Sequence, residues 1–525
     1  MRRAFFIALG GLTTPVLAAP PAGFDQRVEQ LRTAYGAPGV SIAIVENGAP
    51  TLAKGWGVRE IGKPEPVGPD TIFGTGSTGK AFTVAALAIL VDQGKLKWDD
   101  KIIDHMPDFR MWDPWVTREL TVRDLLVHRS GLGLGAGDLL FVPNSDMSRK
   151  ETVRRLRFIK PATSFRSAYA YDNILYMVAG ELVEAVSGEP WEKFMHAHVF
   201  APLGMNHSTD SNAELQATAD RGHPHGRFDG PIVGMGHQQP YGSEATLAGN
   251  AAPAGGLAIS ANDMTRWLLT QLNHGQIPDS TGRLFSAEQS TQMWAPVTLQ
   301  PIAPKPPELA ATGPTFNAYA LGWDVQDYRG TKIIAHGGAV FGSLTTVVLI
   351  PSKNVGFSIA VNSEDGEIVR GLMYELLDHY LDLPVDRWPE KLHAYRQTRL
   401  AEAAKLVGAK KATPARVGPS LPLDRYAGDY SDPWYGTIHV RQAGKALSIQ
   451  FPHSTGMDGT LIHHQYDTFR TEPRLRWIEP AYVTFSIGAD GKVDRVRMKP
   501  VSPLADFSFD YQDLDFTPVV AATHS

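Results

Sequence analysis

Apolar positions follow two different periods along this chain. Up to about residue 412, segments with apolar residues at helical spacing alternate with short β-branched runs, and this mixture predicts helices interleaved with strands. Beyond Pro419 the apolar residues alternate singly with polar ones over short stretches, which turns such as Gly488–Gly491 separate. The pattern therefore predicts an α/β part followed by a separate all-β module, a small barrel.

The α/β part contains both kinds of element. Helices are predicted over Phe24–Tyr35, Ala81–Val91, Leu120–Val127, Ile174–Val186, Pro190–Gly204, Ser260–Trp267, Glu367–Leu381 and Trp388–Pro414. Strands are predicted over Gly39–Gly48, Thr51–Val58, Tyr319–Trp323, Lys332–His336, Ser343–Ile350 and Val355–Asn362. The first two strands meet at an Asn-Gly turn as a hairpin, and the last four form an antiparallel meander. Leu96–Pro107 is expected to be a surface connection.

A linker divides the β module from the rest of the chain. Ala412–Pro419 contains prolines and a glycine and follows the last predicted helix. Strands in the module are predicted over Tyr426–Tyr430, Gly436–Arg441, Ala446–Phe451, Thr468–Arg470, Val483–Ile487 and Val493–Met498. We find no catalytic constellation in the sequence of this module.

One short motif in the α/β part carries chemistry. Ser77 and Lys80 form Ser-x-x-Lys just before the apolar segment Ala81–Val91, and Ser77 is a good helix-start residue. Residues three apart on a helix share a face, so Lys80 is expected one turn above Ser77. A lysine whose pKa is lowered by burial can take the serine proton, and the free N–H groups of a helix N-terminus stabilise an oxyanion. Alone, the motif also fits a capping serine beside a solvated lysine.

Two other motifs overlap the same residues, and each lacks one required residue. Gly74–Lys80 has the spacing of a phosphate-binding loop, but Ala81 stands where that loop needs Ser or Thr to hold magnesium. A G-x-S-x-G nucleophile elbow would need glycine where Thr75 stands. These departures count against a nucleotide-binding protein and against an α/β-hydrolase.

Composition narrows the classes of function. With 50 basic and 55 acidic residues and no basic stripe, the sequence indicates no nucleic-acid partner. The absence of cysteine excludes disulfides, thiolate metal sites and a cysteine nucleophile. Arg2 and Arg3, the mostly apolar run Ala4–Leu17 and the small residues up to Ala19 predict a cleaved signal peptide over residues 1–19. We expect a periplasmic or secreted protein without a membrane span.

Two further stretches hold candidate site residues. Tyr171 and Asn173 lie two apart in the loop before a predicted helix; Tyr171 is a second candidate base, and the Asn173 amide could bind a substrate carbonyl. His336 ends a predicted strand, and Gly337 and Gly338 after it would let a substrate backbone lie close to that strand. Each stretch by itself also fits a structural role. Asn173 could be a turn residue beside a tyrosine at the edge of the core, and His336 could be a surface histidine at a tight strand end.

The other histidines indicate less. His196 with His198, and His223 with His225, form two His-x-His pairs, but neither pair has a third ligand at convincing spacing, so no metal site is predicted. His128 is expected to be a packed or capping histidine. The sequence implies no cofactor.

Taken in order, Ser77–Lys80, Tyr171–Asn173 and His336–Gly338 resemble the three motifs of the serine β-lactamase and penicillin-binding-protein superfamily. The resemblance covers about residues 25–385 and is strongest to the class C branch, with its esterases and S12-type D-amino-acid peptidases. It implies an α/β fold with an antiparallel sheet flanked by helices, a helical subdomain, and the site between them. The tail after Pro419 resembles the lipocalin-like domains that follow the catalytic domain in some members.

The resemblance also implies roles for single residues. Ser77 would be the nucleophile, and Lys80 and Tyr171 would share the general-base and general-acid work. Asn173 would orient the substrate. The backbone N–H groups of Ser77 and Ala339 would form the oxyanion hole.

The third motif departs from the family pattern. Many relatives have Lys-Thr-Gly or Lys-Ser-Gly where this chain has His336, Gly337 and Gly338, so a permanent cation and a hydroxyl are missing. A penicillin carboxylate prefers both groups, and the departure counts against efficient β-lactamase activity. His336 would still suit an ester or a D-aminoacyl peptide, and these three residues would bind the substrate.

We therefore expect a metal-free serine hydrolase that forms an acyl-enzyme on Ser77 with an ester or amide, such as a D-amino-acid-containing peptide. The alternatives are a β-lactamase or penicillin-binding D,D-peptidase and, in another class, a catalytically silent binding protein. The expected organisation is a signal peptide over 1–19, a catalytic domain over 20–387, a helical linker over 388–419 and the β domain over 420–525. The expected partner is a small-molecule or peptide substrate, and the oligomeric state stays open.

Overall fold

The computed structural model describes residues 20–412 and 417–519. They form an α/β part with a helical region beside it and a β-barrel after it. The predicted signal peptide, residues 1–19, lies outside the described residues. Within the described ranges, no helix combines the length and the apolar character needed to cross a bilayer.

The α/β part is built on one large antiparallel sheet. Its strands and those of two small sheets are β1 (Gly39–Glu46), β2 (Ala49–Gly57), β3 (Phe73–Gly74), β4 (His225–Gly226), β5 (Gln239–Pro240), β6 (Ala258–Ile259), β7 (Thr298–Leu299), β8 (Asn317–Tyr319), β9 (Asp324–Tyr328), β10 (Thr331–Val340), β11 (Ser343–Ile350) and β12 (Val355–Val361). The large sheet has the order β2-β1-β12-β11-β10-β9-β8-β7. β1 and β12, which are distant in sequence, therefore lie side by side.

Helices cover both faces of this sheet and form the helical region beside it. They are α1 (Phe24–Tyr35), α2 (Lys80–Asp92), α3 (Ile102–His105), α4 (Pro114–Glu119), α5 (Val122–Leu125), α6 (Arg149–Arg155), α7 (Ile174–Ser187), α8 (Trp191–Met195), α9 (Ala201–Leu203), α10 (Asn212–Ala217), α11 (Ala252–Gly255), α12 (Ala261–Leu272), α13 (Ala287–Met293), α14 (Gly366–Tyr380) and α15 (Trp388–Ala412). Alternate residues of β1 enter two cores: Ile42 and Ile44 pack with α1 and α14, and Ala43 and Val45 with α2 and α12. A sheet buried on both faces favours strands that are mostly apolar, and β1, β11 and β12 are mostly apolar and almost entirely buried.

Helix α2 runs through the middle of the structure. Every residue from Lys80 to Leu90 is buried, as expected for a helix that is apolar on all sides. Phe82 stacks on Trp267 of α12 with ring centres 3.8 Å apart. The start of α2, which carries Lys80, is therefore held in a rigid, water-poor environment.

The predicted all-β module is a closed antiparallel barrel. Its strands are β13 (Gly428–Asp432), β14 (Gly436–Ala443), β15 (Ala446–Gln450), β16 (Gly459–Gln465), β17 (Thr468–Pro473), β18 (Ala481–Ile487), β19 (Val493–Pro500) and β20 (Asp515–Pro518). The sequence pattern missed β16, in which polar residues are frequent, and β20, which is four residues long. Aromatic side chains fill the interior, where Tyr426 packs edge-to-face on Phe469 and Phe485.

Three sequence predictions about the α/β part were wrong. Tyr319–Trp323 is not a strand, because β8 ends at Tyr319 and the chain turns through Gly322, at φ 75°, before β9. β10 does not end at His336 but continues to Val340, paired with β11. The connection after α2 is not confined to the surface, since Leu96 and Trp98 are buried.

Helix α15 corresponds to the predicted charged helix and packs along α14. Arg396 Nη1 lies 3.1 Å from Glu367 Oε2, and His393 stacks on Tyr35 at 4.4 Å between ring centres. The helix is thus attached to the α/β part through both ion pairs and ring contacts. The part of the predicted linker over residues 413–416 lies outside the described residues.

Candidate active site

Ser77 lies where the large sheet and the helical region meet. It occupies a short 3₁₀ turn, Gly76–Gly79, directly before α2, and is half-buried. The turn is pressed against β10: a Cβ placed on Gly76 would lie 2.5 Å from the Ala339 nitrogen, and Gly76 has a φ of 52°. Only glycine tolerates this combination, and the close contact fixes Ser77 beside the strand.

Lys80, the first residue of α2, points at Ser77 as the three-residue spacing predicted. Its Nζ lies 3.1 Å from Ser77 Oγ, 2.7 Å from Asn173 Oδ1 and 2.8 Å from the carbonyl oxygen of Ala254. These three acceptors surround the nitrogen in a site that excludes solvent. The geometry allows a proton to pass directly between the serine oxygen and the lysine nitrogen.

Burial changes the ionisation of Lys80. The side chain is fully buried, and loss of hydration lowers its pKa to about 7, while the carboxylates of Asp138 and Asp172 raise it in part. The rings of Tyr171 and Tyr176 lie on its other sides, with centres 4.9 and 5.1 Å from Nζ. A substantial fraction of Lys80 is therefore neutral near pH 7 and able to accept a proton.

The Tyr171 hydroxyl is buried and makes no hydrogen bond within the residues that the structure describes. Burial raises the pKa of Tyr171 well above its ordinary value of 10, and the nearby Ser77 hydroxyl lowers it in part. Tyr171 therefore keeps its proton in the unliganded protein. The expected sharing of general-base and general-acid work between Tyr171 and Lys80 stays a prediction, in which a protonated Tyr171 is able to donate.

Asn173 lies just before α7 and joins two other side chains. Its Oδ1 accepts a hydrogen bond from Lys80, and its Nδ2 donates one of 2.9 Å to Asp138 Oδ2. Both ends of the amide are thus engaged inside the protein. The observed contacts of Asn173 orient Lys80, whereas we expected its amide to bind and orient the substrate.

The open side of the site is formed by β10 beyond His336. Gly337 is exposed and faces open space, while a Cβ on Gly338 would lie 1.9 Å from the Thr75 oxygen and 3.1 Å from the Ser77 nitrogen. The backbone of β10 therefore passes tightly over the turn that carries Ser77. This contact brings the Ser77 N–H group to the strand that also carries the Ala339 N–H group.

The His336 side chain points into the protein. It is 4% exposed; its Nδ1 lies 2.6 Å from the Gly337 oxygen, and its Nε2 lies 2.7 Å from the Tyr319 hydroxyl. A carbonyl oxygen only accepts, so Nδ1 carries the proton and Nε2 accepts from Tyr319. Burial, with Lys80 nearby, lowers the pKa of His336 to about 3. The expectation that this side chain contacts substrate therefore does not match the structure, and the histidine is neutral.

A buried layer behind Tyr171 was not found from the sequence as part of the site. His128 is fully buried, its ring lies 4.2 Å from that of Tyr171 and 4.4 Å from that of Tyr319, and its Nδ1 accepts a hydrogen bond from the Asp172 nitrogen. The prediction of a packed histidine is confirmed. The sequence carries no signal that Tyr319 belongs to this layer, because its spacing resembles an ordinary strand.

The two His-x-His pairs make contacts of a structural kind. His198 lies 3.3 Å from Glu189, and His225 accepts a hydrogen bond from the Ile61 nitrogen and contacts the Asn362 oxygen. Across residues 20–412 and 417–519, no group of three or more His, Cys, Asp or Glu side chains lies close enough to hold a metal ion.

An apolar cavity of about 290 Å³ lies beside the turn that carries Ser77. It borders Gly74, and most of its wall is apolar, with Leu215, Leu247, Leu257, Val340 and Phe341 among the lining residues. Trp477 of the barrel packs on Phe341 with ring centres 4.8 Å apart. The barrel thus supports one wall of the cavity, which has space for an apolar substrate group.

Comparisons with known proteins agree with this architecture. A family model described as "Beta-lactamase" matches residues 24–382, and one described as "Domain of unknown function (DUF3471)" matches residues 412–518. Unguisins hydrolase ungD' of Aspergillus campestris is 28% identical over 433 residues, covering 79% of this chain and 77% of that protein. Penicillin-binding protein 4 of Amycolatopsis lactamdurans is 27% identical over 406 residues, covering 74% of this chain and 96% of that protein.

Solved structures share the fold. The octameric penicillin-binding protein homologue from Pyrococcus abyssi matches with a TM-score of 0.57 at 21% identity, covering 91% of this chain and 98% of that one. SurE matches with a TM-score of 0.53 at 19% identity, covering 95% and 98%.

Proposed function

This chain belongs to the beta-lactamase family of serine hydrolases, and we propose that it works through an acyl-enzyme formed on Ser77. The observation that carries the proposal is the 3.1 Å contact between Ser77 Oγ and the Nζ of Lys80, a fully buried lysine with a pKa of about 7. A serine hydroxyl is a weak nucleophile until a neighbouring base takes its proton, and Lys80 has both the position and the basicity for this step.

In the proposed first step, the Ser77 oxygen bonds to the acyl carbon while its proton moves to Lys80 Nζ. The negative charge that forms on the acyl oxygen is stabilised by the N–H groups of Ser77 and Ala339. The bond to the leaving group then breaks, and the leaving group takes the proton from Lys80, directly or through the Tyr171 hydroxyl. Water attacks the acyl carbon in the second step, gives its proton to the same groups and releases Ser77 protonated.

We propose an ester or a peptide-type amide as substrate, such as a peptide that contains D-amino acids. Three observations support this class. The cavity beside the site, which is mostly apolar and also lined by Arg221 and His223, has space for a bulky substrate group. The relative from Aspergillus campestris is named for the hydrolysis of unguisins. At Gly337 and Gly338 the chain offers no cation or hydroxyl for a carboxylate.

Penicillin binding or D,D-peptidase activity is the second candidate, and the similarity to penicillin-binding protein 4 favours it. Both candidates use the same acyl-enzyme on Ser77 and differ in which acyl donor reacts. A catalytically silent binding protein, by contrast, would leave Ser77 unreactive.

Covalent labelling with a fluorophosphonate probe tests the mechanism. We expect wild type to be labelled at Ser77 and to hydrolyse p-nitrophenyl esters, and Ser77→Ala to lose both properties. Ser486→Ala, an exposed serine on the barrel, serves as the matched control and should behave as wild type. Equal labelling of wild type and Ser77→Ala would remove Ser77 from the mechanism.

A substrate panel then separates the candidates. Esters, D-aminoacyl peptides, D,D-peptides and a labelled penicillin would be compared by kcat/KM on the purified protein. Cleavage of the D,D-peptides far above that of the esters and D-aminoacyl peptides, together with stable covalent labelling by the penicillin, would replace the first candidate with the second. Export to the periplasm or medium is also part of the proposal, and N-terminal sequencing of the mature protein tests it, with Pro20 as the expected first residue.

A further inference from the structure

The barrel domain inserts one of its loops into the wall of the site. This loop, residues 501–510, connects β19 to the last turn before β20, and we name it the cleft loop. It meets residues 133–140 of the α/β part, named here the Asp138 loop. The fully buried Asp510 carboxylate accepts hydrogen bonds from the Gly137 nitrogen at 2.8 Å and the Leu139 nitrogen at 3.1 Å. The barrel therefore holds the backbone on both sides of Asp138.

A second contact shows how closely the two loops fit. Gly135 has a φ of 70°, and a Cβ there would lie 2.7 Å from the Phe507 oxygen, so the cleft loop passes over a position that requires glycine. The Gly135 nitrogen donates a hydrogen bond of 2.9 Å to the backbone carbonyl oxygen of Tyr171. The Phe507 ring lies 5.9 Å from the Tyr171 ring. The Asp138 loop is thus fixed between the barrel and the site.

A chain of hydrogen bonds crosses this interface and ends at Lys80. The Ser508 hydroxyl, on the cleft loop, donates 2.8 Å to Asp138 Oδ2. The same oxygen accepts from Asn173 Nδ2 at 2.9 Å, and Asn173 Oδ1 accepts from Lys80 Nζ at 2.7 Å. Three side chains therefore link the barrel to the lysine beside Ser77.

The orientation of the Asn173 amide decides whether Lys80 has an acceptor. Rotation of the amide by half a turn would place its NH₂ group against the nitrogen of Lys80 and its oxygen against Asp138 Oδ2. Charged Lys80 would then lose its acceptor on Asn173, and the amide oxygen would face an unprotonated Oδ2, which is also an acceptor. Asp138 Oδ2 therefore selects the observed orientation. Burial raises the pKa of Asp138 to about 8, but Oδ2 accepts the two hydrogen bonds with or without a proton on Oδ1.

We propose that Asp138 and Ser508 are positioning residues of this hydrolase, and that the barrel domain is therefore a working part of its active site. Ser508 holds Asp138, Asp138 holds the Asn173 amide, and the amide oxygen keeps Lys80 Nζ at Ser77. This proposal rests on the proposed function, in which Lys80 takes the serine proton.

The test measures the second-order rate of fluorophosphonate labelling and the kcat and KM for a p-nitrophenyl ester, all with the full chain. Ser508→Ala should slow labelling roughly two- to tenfold, the effect of losing one hydrogen bond. Asp138→Ala should slow it roughly five- to a hundredfold, because it leaves the Asn173 NH₂ group buried and unpaired. Both should lower kcat and leave KM unchanged, and Ser508→Thr should restore the wild-type rate.

The double variant separates this role from general loosening of the interface. If Ser508 acts through Asp138, Ser508→Ala has no further effect in the Asp138→Ala background. Effects that multiply, or single variants with wild-type rates, would overturn the proposal. The exposed control Ser486→Ala should match wild type. Should Asp138→Ala fail to fold in thermal unfolding, the comparison of Ser508→Ala with Ser508→Thr still decides, since equal rates for these two would refute the role of the hydroxyl.

Failure of the proposed function gives a different result from failure of this inference. If the function is wrong, wild type is not labelled or Ser77→Ala is labelled equally. If only the inference is wrong, wild type is labelled through Ser77 and the Ser508 and Asp138 variants react at its rate.

Discussion

A change of pH from 6 to 8 should raise the rate of Ser77 acylation about tenfold, because it converts Lys80 from mostly charged to mostly neutral. A base must be unprotonated to accept the serine proton, so the rate rises with pH. With a pKa of about 7, roughly half of Lys80 is neutral at pH 7. An ordinary lysine of pKa 10.5 would be neutral in roughly 0.03% of molecules at that pH.

The environment of Lys80 explains this expected midpoint. Loss of hydration is the largest effect and lowers the pKa, and the carboxylates of Asp138 and Asp172 oppose it. His128 and His336 also lie near Lys80, and burial keeps both neutral, so they add no positive charge near pH 7. Tyr171 and Tyr176 contact Lys80 with their rings, and burial raises the pKa of both well above 10.

The assay is stopped-flow acylation with an uncharged ester, read at closely spaced pH values from 5.5 to 9. Asp138, with a pKa of about 8, is the neighbour most able to imitate the lysine, so Asp138→Asn is measured in parallel. We expect Asp138→Asn to keep a rising profile and Lys80→Met to lose it together with most of the rate. A wild-type rate that is flat or falls between pH 6 and 8, or a midpoint near 7 that survives Lys80→Met, would refute it.

Three other predictions follow from the same geometry. Tyr171→Phe should slow p-nitrophenyl ester acylation by roughly a hundredfold or more, since it removes a buried proton donor; a near-wild-type rate would leave the proton transfers to the lysine alone. Gly338→Ala should lower kcat by roughly a hundredfold, because its Cβ would lie 1.9 Å from the Thr75 oxygen and would displace the oxyanion donors. In the control variant Gly408→Ala the new Cβ faces open space, and kcat should stay at the wild-type value. Equal kcat values for the two variants would contradict the prediction. Between pH 7 and 10.5 Lys80 binds fewer protons in the folded than in the unfolded protein, so the free energy of unfolding of wild type, relative to that of Lys80→Met, should rise by up to about 1.4 kcal/mol per pH unit. Urea unfolding of both proteins at several pH values measures this difference. A difference that does not change with pH would count against a lowered lysine pKa.

Local sequence patterns predicted the elements whose hydrophobic period is unambiguous. α1 has the predicted bounds, Phe24–Tyr35, and β11 has the predicted bounds, Ser343–Ile350. The segment Tyr319–Trp323 was predicted to be a strand but forms a turn after β8, and its apolar residues are buried in that turn. A buried turn and a buried strand both need apolar residues, so a short run of apolar residues does not distinguish the two.

The candidate site shows the same division between local and distant information. The contact between Ser77 and Lys80 was predictable, because residues three apart at the start of a helix lie on one face. The inward direction of His336 was not, because it depends on Tyr319 from a neighbouring segment. Ser508 lies 370 residues from Asp138 in sequence, and no spacing rule connects them.

The sequence by itself determined the nucleophile motif, the division into an α/β part and a barrel, and the family that the three motifs resemble. These features are local in sequence, since helix spacing, strand alternation and turn residues act over a few positions. Only the tertiary structure decided that the pKa of Lys80 is lowered and which polar groups contact its amine. A pKa depends on how completely distant segments exclude water and place charges, and the barrel enters the site through contacts that appear only when the chain has folded.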